Sequence, residues 1–162
     1  RVVPAFESVM FHVILPGKPP VGIDGFTQLD VNRWVLPVED ATAINELVCF
    51  LTSPLANDIG IAVHIAAPPF EVSQWHFLGC VHNNSPSAFF KPRYIWSERD
   101  AIPTVAQIGI ELSPLPALVT RVPEMTSSEV VEVAKLIAAD LVRYTQSFDG
   151  GLPTNGIDKW LT

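Results

Sequence analysis

The hydrophobic residues of this chain follow two different periods. Up to residue 113, short apolar runs alternate with turns rich in Gly, Pro and Asn, as in antiparallel all-β domains. After residue 125 the apolar positions recur at helical spacing. The pattern predicts a mainly β fold, a jelly-roll-like antiparallel sandwich or barrel followed by a C-terminal helix. The predicted strands are Phe11–Leu15, Phe26–Leu29, Arg33–Val38, Asn45–Thr52, Ile59–Ala66, Trp75–His82, Ser87–Lys91 and Thr104–Leu112.

The stretch from Trp75 to Leu112 is predicted to form the core of this β-domain. Its first strand alternates across a pleat, and both faces are largely apolar, which is typical of a strand buried on both sides in the middle of a sandwich or barrel. One face carries Trp75, Phe77, Gly79 and Val81, and the other carries His76, Leu78, Cys80 and His82. The turn residues 83–86 predict that Ser87–Lys91 returns antiparallel to the strand it leaves.

The helical period predicts one long C-terminal helix, Thr126–Phe148. Thr126 and Glu129 form a capping-box pattern at its start, and Gly150-Gly151 follows its end. The apolar stripe either covers the sandwich or pairs with a second copy of the chain, and we expect it to contribute to a homodimer. The stripe consists of Val130, Val133, Ile137, Leu141, Tyr144 and Phe148.

The prolines between the two periods predict a linker. Pro114, Pro116 and Pro123 argue against a helix interior or a central strand in Leu112–Pro123. The expected division is therefore a β-sandwich domain at 10–113, a Pro-rich linker at 114–125 and a helical region at 126–162. Residues 1–9 are left out of this division, because the family resemblance described below implies a chain that starts with Met-Phe, here Met10-Phe11; they are expected to be an extension.

Composition narrows the classes of partner. Hydrophobic residues make up 48% of the 162 and charged residues only 17%, below the ~25% usual for soluble domains, so apolar surface is expected to remain for a partner or a second copy. The net charge is −7 without a cluster of basic residues, which argues against nucleic acid and anionic membranes. The longest apolar run, 59–70, is too short to span a bilayer, and no leader pattern opens the chain.

Candidate chemistry is sparse. His76, Cys80 and His82 share one predicted strand face, where residues two apart lie about 7 Å from each other, but zinc-type spacings such as C-x-x-C are missing. A purely structural role, with a core cysteine beside two hydrogen-bonded histidines, is favoured over a metal site. Cys49 also lies in a predicted strand, which favours buried free thiols and a reducing compartment over a disulfide.

Catalytic patterns are equally sparse. No G-x-S-x-G elbow occurs, and acidic pairs such as Glu39-Asp40 lie in connections where nothing would raise a carboxylate pKa. The sequence therefore predicts a protein that is not an enzyme and needs no cofactor.

The connection 92–102 is the most suggestive surface segment. Tyr94, Ile95 and Trp96 cluster among charged neighbours, and large aromatics on a loop are typical partner-binding anchors. The alternative is that Tyr94 and Ile95 continue the preceding strand and Trp96 folds back onto the core.

Two stretches of the sequence contain three short segments that carry a family resemblance. The sequence WHFLGCVHNNSPSAFFK at 75–91, followed by PTVAQIGIEL at 103–112, resembles the central signature of the Hikeshi family of nuclear import carriers. That signature runs W-x-x-L-G-x-V-x-N, then P-S-A-x-F-K, then P-S-V-A-Q-I-G-I. The matching positions are Trp75, Leu78, Gly79, Val81, Asn83, Pro86, Ser87, Ala88, Phe90, Lys91, Pro103 and Val105–Ile110.

The resemblance implies a non-enzymatic carrier that works as a homodimer and shuttles between cytoplasm and nucleus. Such a carrier binds the ATP-bound seventy-kilodalton heat-shock chaperone and Phe-Gly-repeat nucleoporins. The family's longer loop between the second and third segments carries a Phe-Gly partner-binding element, whereas 92–102 is short and contains no Phe. Either Trp96 substitutes for that Phe, or recognition has moved, or part of the function is lost. A second hypothesis is a jelly-roll module that holds a small molecule or glycan in the sandwich mouth.

Overall fold

A computed structural model describes residues 11–96, 103–121 and 127–146. The chain divides into two compact units, Arg1–Glu124 and Met125–Thr162. The strands of the first unit are β1 Phe11–Ile14, β2 Val21–Gly22, β3 Thr27–Asp30, β4 Arg33–Val38, β5 Leu47–Leu51, β6 Ile59–Ala66, β7 His76–Val81, β8 Ser87–Phe90 and β9 Ala106–Pro114. Its α-helix is α1 Leu115–Val119, and α2 Ser127–Gln146 belongs to the second unit. The two faces of the sandwich follow from the alternation of side chains along these strands.

The strands form two antiparallel sheets. One sheet has the order β2-β1-β5-β8, the other β3-β4-β9-β6-β7, and the chain alternates between them. Side chains from the inner faces of both sheets form one continuous core. This core includes Phe11, Val13, Leu47 and Phe90 from the four-stranded sheet and Trp34, Ile61, Val63, Ile108 and Ile110 from the five-stranded sheet. The predicted mainly β sandwich followed by a C-terminal helix is confirmed.

The predicted pairing of the two signature strands is wrong. Ser85 donates its backbone N–H to the carbonyl oxygen of His82 at 2.9 Å, so a tight turn does form. After it, however, β8 pairs with β5 in the other sheet, while β7 pairs with β6. The strand β7 is therefore an edge strand, and β6 and β9 occupy the interior of the five-stranded sheet. A turn fixes local chain reversal, but the core packing decides which sheet the next strand joins.

A bulge also shifts the faces of β7. Val63 lies opposite Gly79, but the next residue, His64, lies opposite Phe77, so Leu78 is the extra residue. Beyond this bulge the alternation changes phase, because one added residue turns every following side chain to the other face. Phe77 therefore joins Cys80 on the outer face, whereas strict alternation predicted that Phe77 shares a face with Val81, which lies in the core.

The predicted linker contains a regular element. The strand β9 runs to Pro114, and α1 follows directly. Pro116 lies in the first turn of this helix, where its missing N–H leaves no hydrogen bond unmade. Leu118 packs on Ala62 and Phe77 of the outer face. The expectation of a segment without a helix is thus wrong for 115–119.

The second unit contributes the helix α2, which confirms the predicted helix within 127–146. Its predicted cap Thr126 and the end residues 147–151 lie outside the described residues, as do 1–10 and 97–102. Among the helices that the structure describes, none is both long and apolar enough to cross a bilayer.

Candidate functional site

One row of side chains crosses the outer face of the five-stranded sheet. The register places Val35 opposite Gly109, Gly109 opposite His64, and His64 opposite Phe77. The row therefore joins β4, β9, β6 and β7, although its members are far apart in sequence. Its centre is a glycine, so the sheet has a gap in its side-chain layer at this point.

The indole of Trp75 fills the space above that glycine. A Cβ placed on Gly109 would lie 2.7 Å from Cζ3 of Trp75, closer than real contacts allow. Trp75 directly precedes β7 and is partly exposed. Beside its ring lies a concave site of about 370 Å³, which we call the Trp75 groove. Its lining includes Arg33, Val35, His64, Trp75, Gly109 and Arg121.

Arg121 is fixed at one wall of the Trp75 groove by two contacts. Its guanidinium carbon lies 4.2 Å from the ring centroid of Phe77, a cation–π geometry. Its Nη1 lies 3.3 Å from Nε2 of His64. A guanidinium has no acceptor, so Nε2 of His64 accepts this hydrogen bond. Within the described residues, Arg121 makes no ion pair with a carboxylate.

Another wall carries an ion pair. Nε and Nη2 of Arg33 both donate to Oε1 of Glu111, at 3.2 and 3.1 Å. Arg33 is largely exposed, so the pair contributes little to stability. Its effect on the groove is electrostatic: the two charges cancel, and the guanidinium of Arg121 remains as the net charge of the lining.

Several positions of the family resemblance serve packing between its segments. Trp75 of the first segment lies over Gly109 of the third. Gly79 has φ +148°, and a Cβ there would lie 2.7 Å from Cε1 of Phe90 in the second segment. The side chain of Asn83 accepts from the backbone N–H of Leu55 and donates to its carbonyl oxygen, both at 2.8 Å. These residues hold the sandwich together.

The structure places two of the three predicted partner-binding residues in the core. Pro92–Trp96 forms a 3₁₀ helix, and Ile95 is 8% exposed and Trp96 1%. The alternative is therefore right for Trp96, which packs in the core, but wrong for the strand, because β8 ends at Phe90 and Tyr94 and Ile95 lie in the 3₁₀ helix. Tyr94 lies in the same turn, and its side chain is outside what the structure describes. Partner binding by this segment stays a prediction, and it would require Trp96 to leave the core.

The predicted dimer stripe is described only in part. Ile137 is 50% exposed and Leu141 is half-buried. Val130, Val133 and Tyr144 lie in α2, but their side chains are outside what the structure describes, and Phe148 lies beyond the described part of the chain. Dimerisation through this stripe stays a prediction.

His76, Cys80 and His82, which were considered as metal ligands, do not all lie on one face of β7. His76 contacts Trp96, with ring centroids 6.5 Å apart, and so faces the core, whereas Cys80 packs with the outer cluster. The bulge at Leu78 causes this separation. Among the residues that the structure describes, no group of three or more His, Cys, Asp or Glu side chains could hold a metal ion.

Both cysteines are free thiols. Burial in the core raises the pKa of Cys49 to about 12. Burial also raises the pKa of Cys80, which lies on the partly covered outer face. High thiol pKa values keep both side chains in the protonated, weakly nucleophilic form at neutral pH.

Sequence reasoning missed the Trp75 groove and one exposed aromatic. Phe89 is 52% exposed on β8, an edge strand, while its neighbour Phe90 is buried. Alternation along Ser87–Phe90 could have revealed that one of two adjacent phenylalanines must face outward. No comparable signal exists for the Trp75 groove, because its residues lie on β4, β6, β7 and β9 and become neighbours only through the register of these strands.

Comparison with known proteins finds a matching family model and several similar proteins that agree with it. The sequence model of the family described as "Hikeshi-like, N-terminal domain" matches residues 14–129. A protein named OPI10 homolog from Aedes aegypti is 28% identical over 167 aligned residues, which cover 85% of this chain and 84% of the relative. Protein Hikeshi from Gallus gallus is 32% identical over 110 residues, covering 59% and 56%, and that from Danio rerio is 25% identical over 140, covering 75% and 71%. The chain belongs to the Hikeshi-like family.

Proposed function

We propose that this protein is a non-enzymatic nuclear transport carrier. It binds the ATP-bound seventy-kilodalton heat-shock chaperone and Phe-Gly-repeat nucleoporins, imports the chaperone during heat stress, and shuttles between cytoplasm and nucleus as a homodimer. The observation that carries the proposal is the family match over residues 14–129. The match includes both halves of the signature, 75–91 and 103–112, which the fold joins through Trp75 and Gly109.

The surface composition supports passage through a Phe-Gly meshwork. Only 17% of the residues are charged, and several large apolar side chains of the first unit are exposed, namely Leu29, Val31, Val72, Phe89 and Val119. Scattered apolar side chains offer many weak contacts, each of which dissociates quickly. Weak multivalent docking permits movement through the pore, whereas one tight site would retain the carrier.

Phe89 is the best-placed docking residue in the described part of the first unit. It is exposed on β8, which is an edge strand among the strands that the structure describes and could accept a further strand. Lys91 lies 5.8 Å from the centroid of its ring. The connection 92–102 contains no Phe, but the exposed Phe89 lies close to it in sequence. This supports the idea that recognition has moved.

The carrier function is tested with purified chaperone and permeabilised cells. We expect the protein to retain the chaperone in a pull-down with ATP, to retain much less with ADP, and to carry labelled chaperone into nuclei. Protein Hikeshi from Gallus gallus, to which the chain is similar, is assayed in parallel. If the chaperone is neither bound with ATP nor imported, the proposed function is wrong.

The docking role of Phe89 is tested separately on immobilised Phe-Gly repeats. Phe89→Ser should weaken retention roughly three- to tenfold, because part of the burial energy of one phenyl ring is lost. Ser87→Ala is the matched control, since Ser87 is exposed on the same strand but offers no apolar side chain. Equal retention of both variants would assign docking to another surface.

A further inference from the structure

We propose that the Trp75 groove is a binding site for a small carboxylate that carries a flat aromatic group. The inference concerns the outer face of the five-stranded sheet and does not depend on the carrier function. It rests on three properties of the groove: its size, its aromatic wall, and one guanidinium without a carboxylate partner in the described residues.

The size and apolar lining suit a ring system. The volume of about 370 Å³ lies at the lower end of the range for small-molecule sites. The indole of Trp75 forms one wall, held in place by the gap above Gly109, and Val35 lies next to it in the same row. A flat aromatic group can stack against the indole and displace water from this apolar surface.

The charge distribution selects an anion. Arg33 and Glu111 neutralise each other, so Arg121 leaves one net positive charge in the lining, within a protein of net charge −7. One guanidinium matches the single charge of a carboxylate, which it can bind through two parallel hydrogen bonds. A phosphate dianion would keep uncompensated charge.

Arg121 is also preorganised for this role. Its contacts with Phe77 and His64 hold the side chain over the sheet, and only one of its five N–H donors is used by the histidine. Since Nε2 of His64 accepts from Arg121, the histidine adds no competing positive charge there. A fixed guanidinium with free donors loses little conformational entropy when an anion binds.

The experiment follows binding of 2-naphthoate to the ¹⁵N-labelled full chain by NMR, with the neutral 2-naphthamide as the control ligand. We expect the acid to bind with a dissociation constant on the order of 0.1–1 mM. Its shifts should centre on the amides of Val35 and Gly109 and on the indole N–H of Trp75. The amide should bind about tenfold more weakly, because it lacks the charge that Arg121 recognises.

Variants test the role of Arg121 directly. Arg121→Gln should weaken 2-naphthoate binding about tenfold and leave 2-naphthamide binding unchanged. The affinity of Arg121→Lys for 2-naphthoate should lie between those of the wild type and Arg121→Gln, because an ammonium keeps the charge but lacks the two parallel N–H donors of a guanidinium. Arg93→Gln is the matched control, since Arg93 is exposed and bonds to Asn45; we expect no change. Thermal unfolding checks that each variant is folded.

Four results would overturn the inference. The wild-type protein could bind 2-naphthoate and 2-naphthamide equally well. This result can be interpreted without any variant. The shifts could centre on residues outside the groove, or Arg121→Gln could bind 2-naphthoate as tightly as Arg93→Gln does. A lack of binding at about ten times the expected dissociation constant would likewise exclude the site.

Discussion

At the scale of single residues, the signature glycines are explained by the aromatic rings that they receive. Gly109 leaves room for Trp75, and Gly79 leaves room for Phe90. The sequence identifies these glycines as special, but not their partners, because each partner lies in another segment. Gly79 has a second requirement, since its φ of +148° favours a residue without a side chain.

These two requirements at Gly79 can be separated by mutation. Gly79→Ala should destabilise the fold by about 2–4 kcal/mol, the sum of overpacking against Phe90 and backbone strain. In a Phe90→Leu background the same change should cost less, because the steric part is relieved while the strain remains. Urea unfolding of the four proteins measures both terms. Equal costs in the two backgrounds would show that Phe90 does not limit the site.

The buried thiol of Cys49 gives a pH-dependent prediction. Its pKa is raised by burial to about 12 from 9.0, so the folded state keeps the proton while the unfolded state loses it. The contribution to stability is complete below pH 9 and is lost as the pH rises towards 12, with a slope of about 1.4 kcal/mol per pH unit.

Cys49→Ala should therefore flatten the decline of the unfolding free energy above pH 9, even though the cavity lowers stability at every pH. Cys80→Ala is the control, because the Cys80 thiol is more accessible and should change the slope less. Chemical unfolding at several pH values measures the slopes. The same alkaline slope in wild type and Cys49→Ala would contradict the assignment.

At the scale of elements, the strands follow from the sequence more securely than their partners do. Period-two alternation and turn residues locate β1, β3 to β9 within a few residues. The bulge at Leu78 is invisible to this pattern, because an extra residue does not change composition. The turn after β7 likewise forms as expected, yet β8 joins the other sheet, since burying Phe90 in the shared core decides its position.

The loop 53–58 depends on one side chain from that turn. Asn83 makes two hydrogen bonds to the backbone of Leu55, whose side chain is buried. Asn83→Ala should lower the unfolding free energy by about 1–3 kcal/mol, because the buried backbone groups lose their partners. Amide exchange at Leu55 should accelerate in the variant.

The neighbouring Asn84 provides a control, because it is exposed and Asn84→Ala should leave that exchange rate unchanged. If Asn83→Ala keeps both the stability and the slow exchange at Leu55, the loop is held by its other contacts.

At the scale of the whole molecule, fold class and family could be predicted, whereas the candidate site could not. The alternating pattern and the signature segments lead to a sandwich of the Hikeshi-like family. The Trp75 groove depends on strand order, because Val35, Gly109 and His64 become neighbours only when β9 lies between β4 and β6. Strand order is set by the packing of the entire core, which no local pattern encodes.

Association of two copies is the remaining prediction at this scale. On α2, Ile137 is 50% exposed, and Leu141, four residues further on and on the same face, is half-buried. An apolar helix face of this kind is stabilised by burial against a partner. Ile137 lies in the predicted stripe, and at about 100° per residue Ala139 lies almost opposite to it on the helix. The two positions can therefore receive the same charge on different faces.

Sedimentation equilibrium of the full chain distinguishes these faces. We expect a dimer at micromolar concentration, and Ile137→Glu should raise the dissociation constant at least about tenfold, because a carboxylate would be buried without a partner. Ala139→Glu carries the same added charge on an exposed position and should remain dimeric. A monomeric wild type, or equal weakening by both variants, would show that this stripe is not the contact between copies.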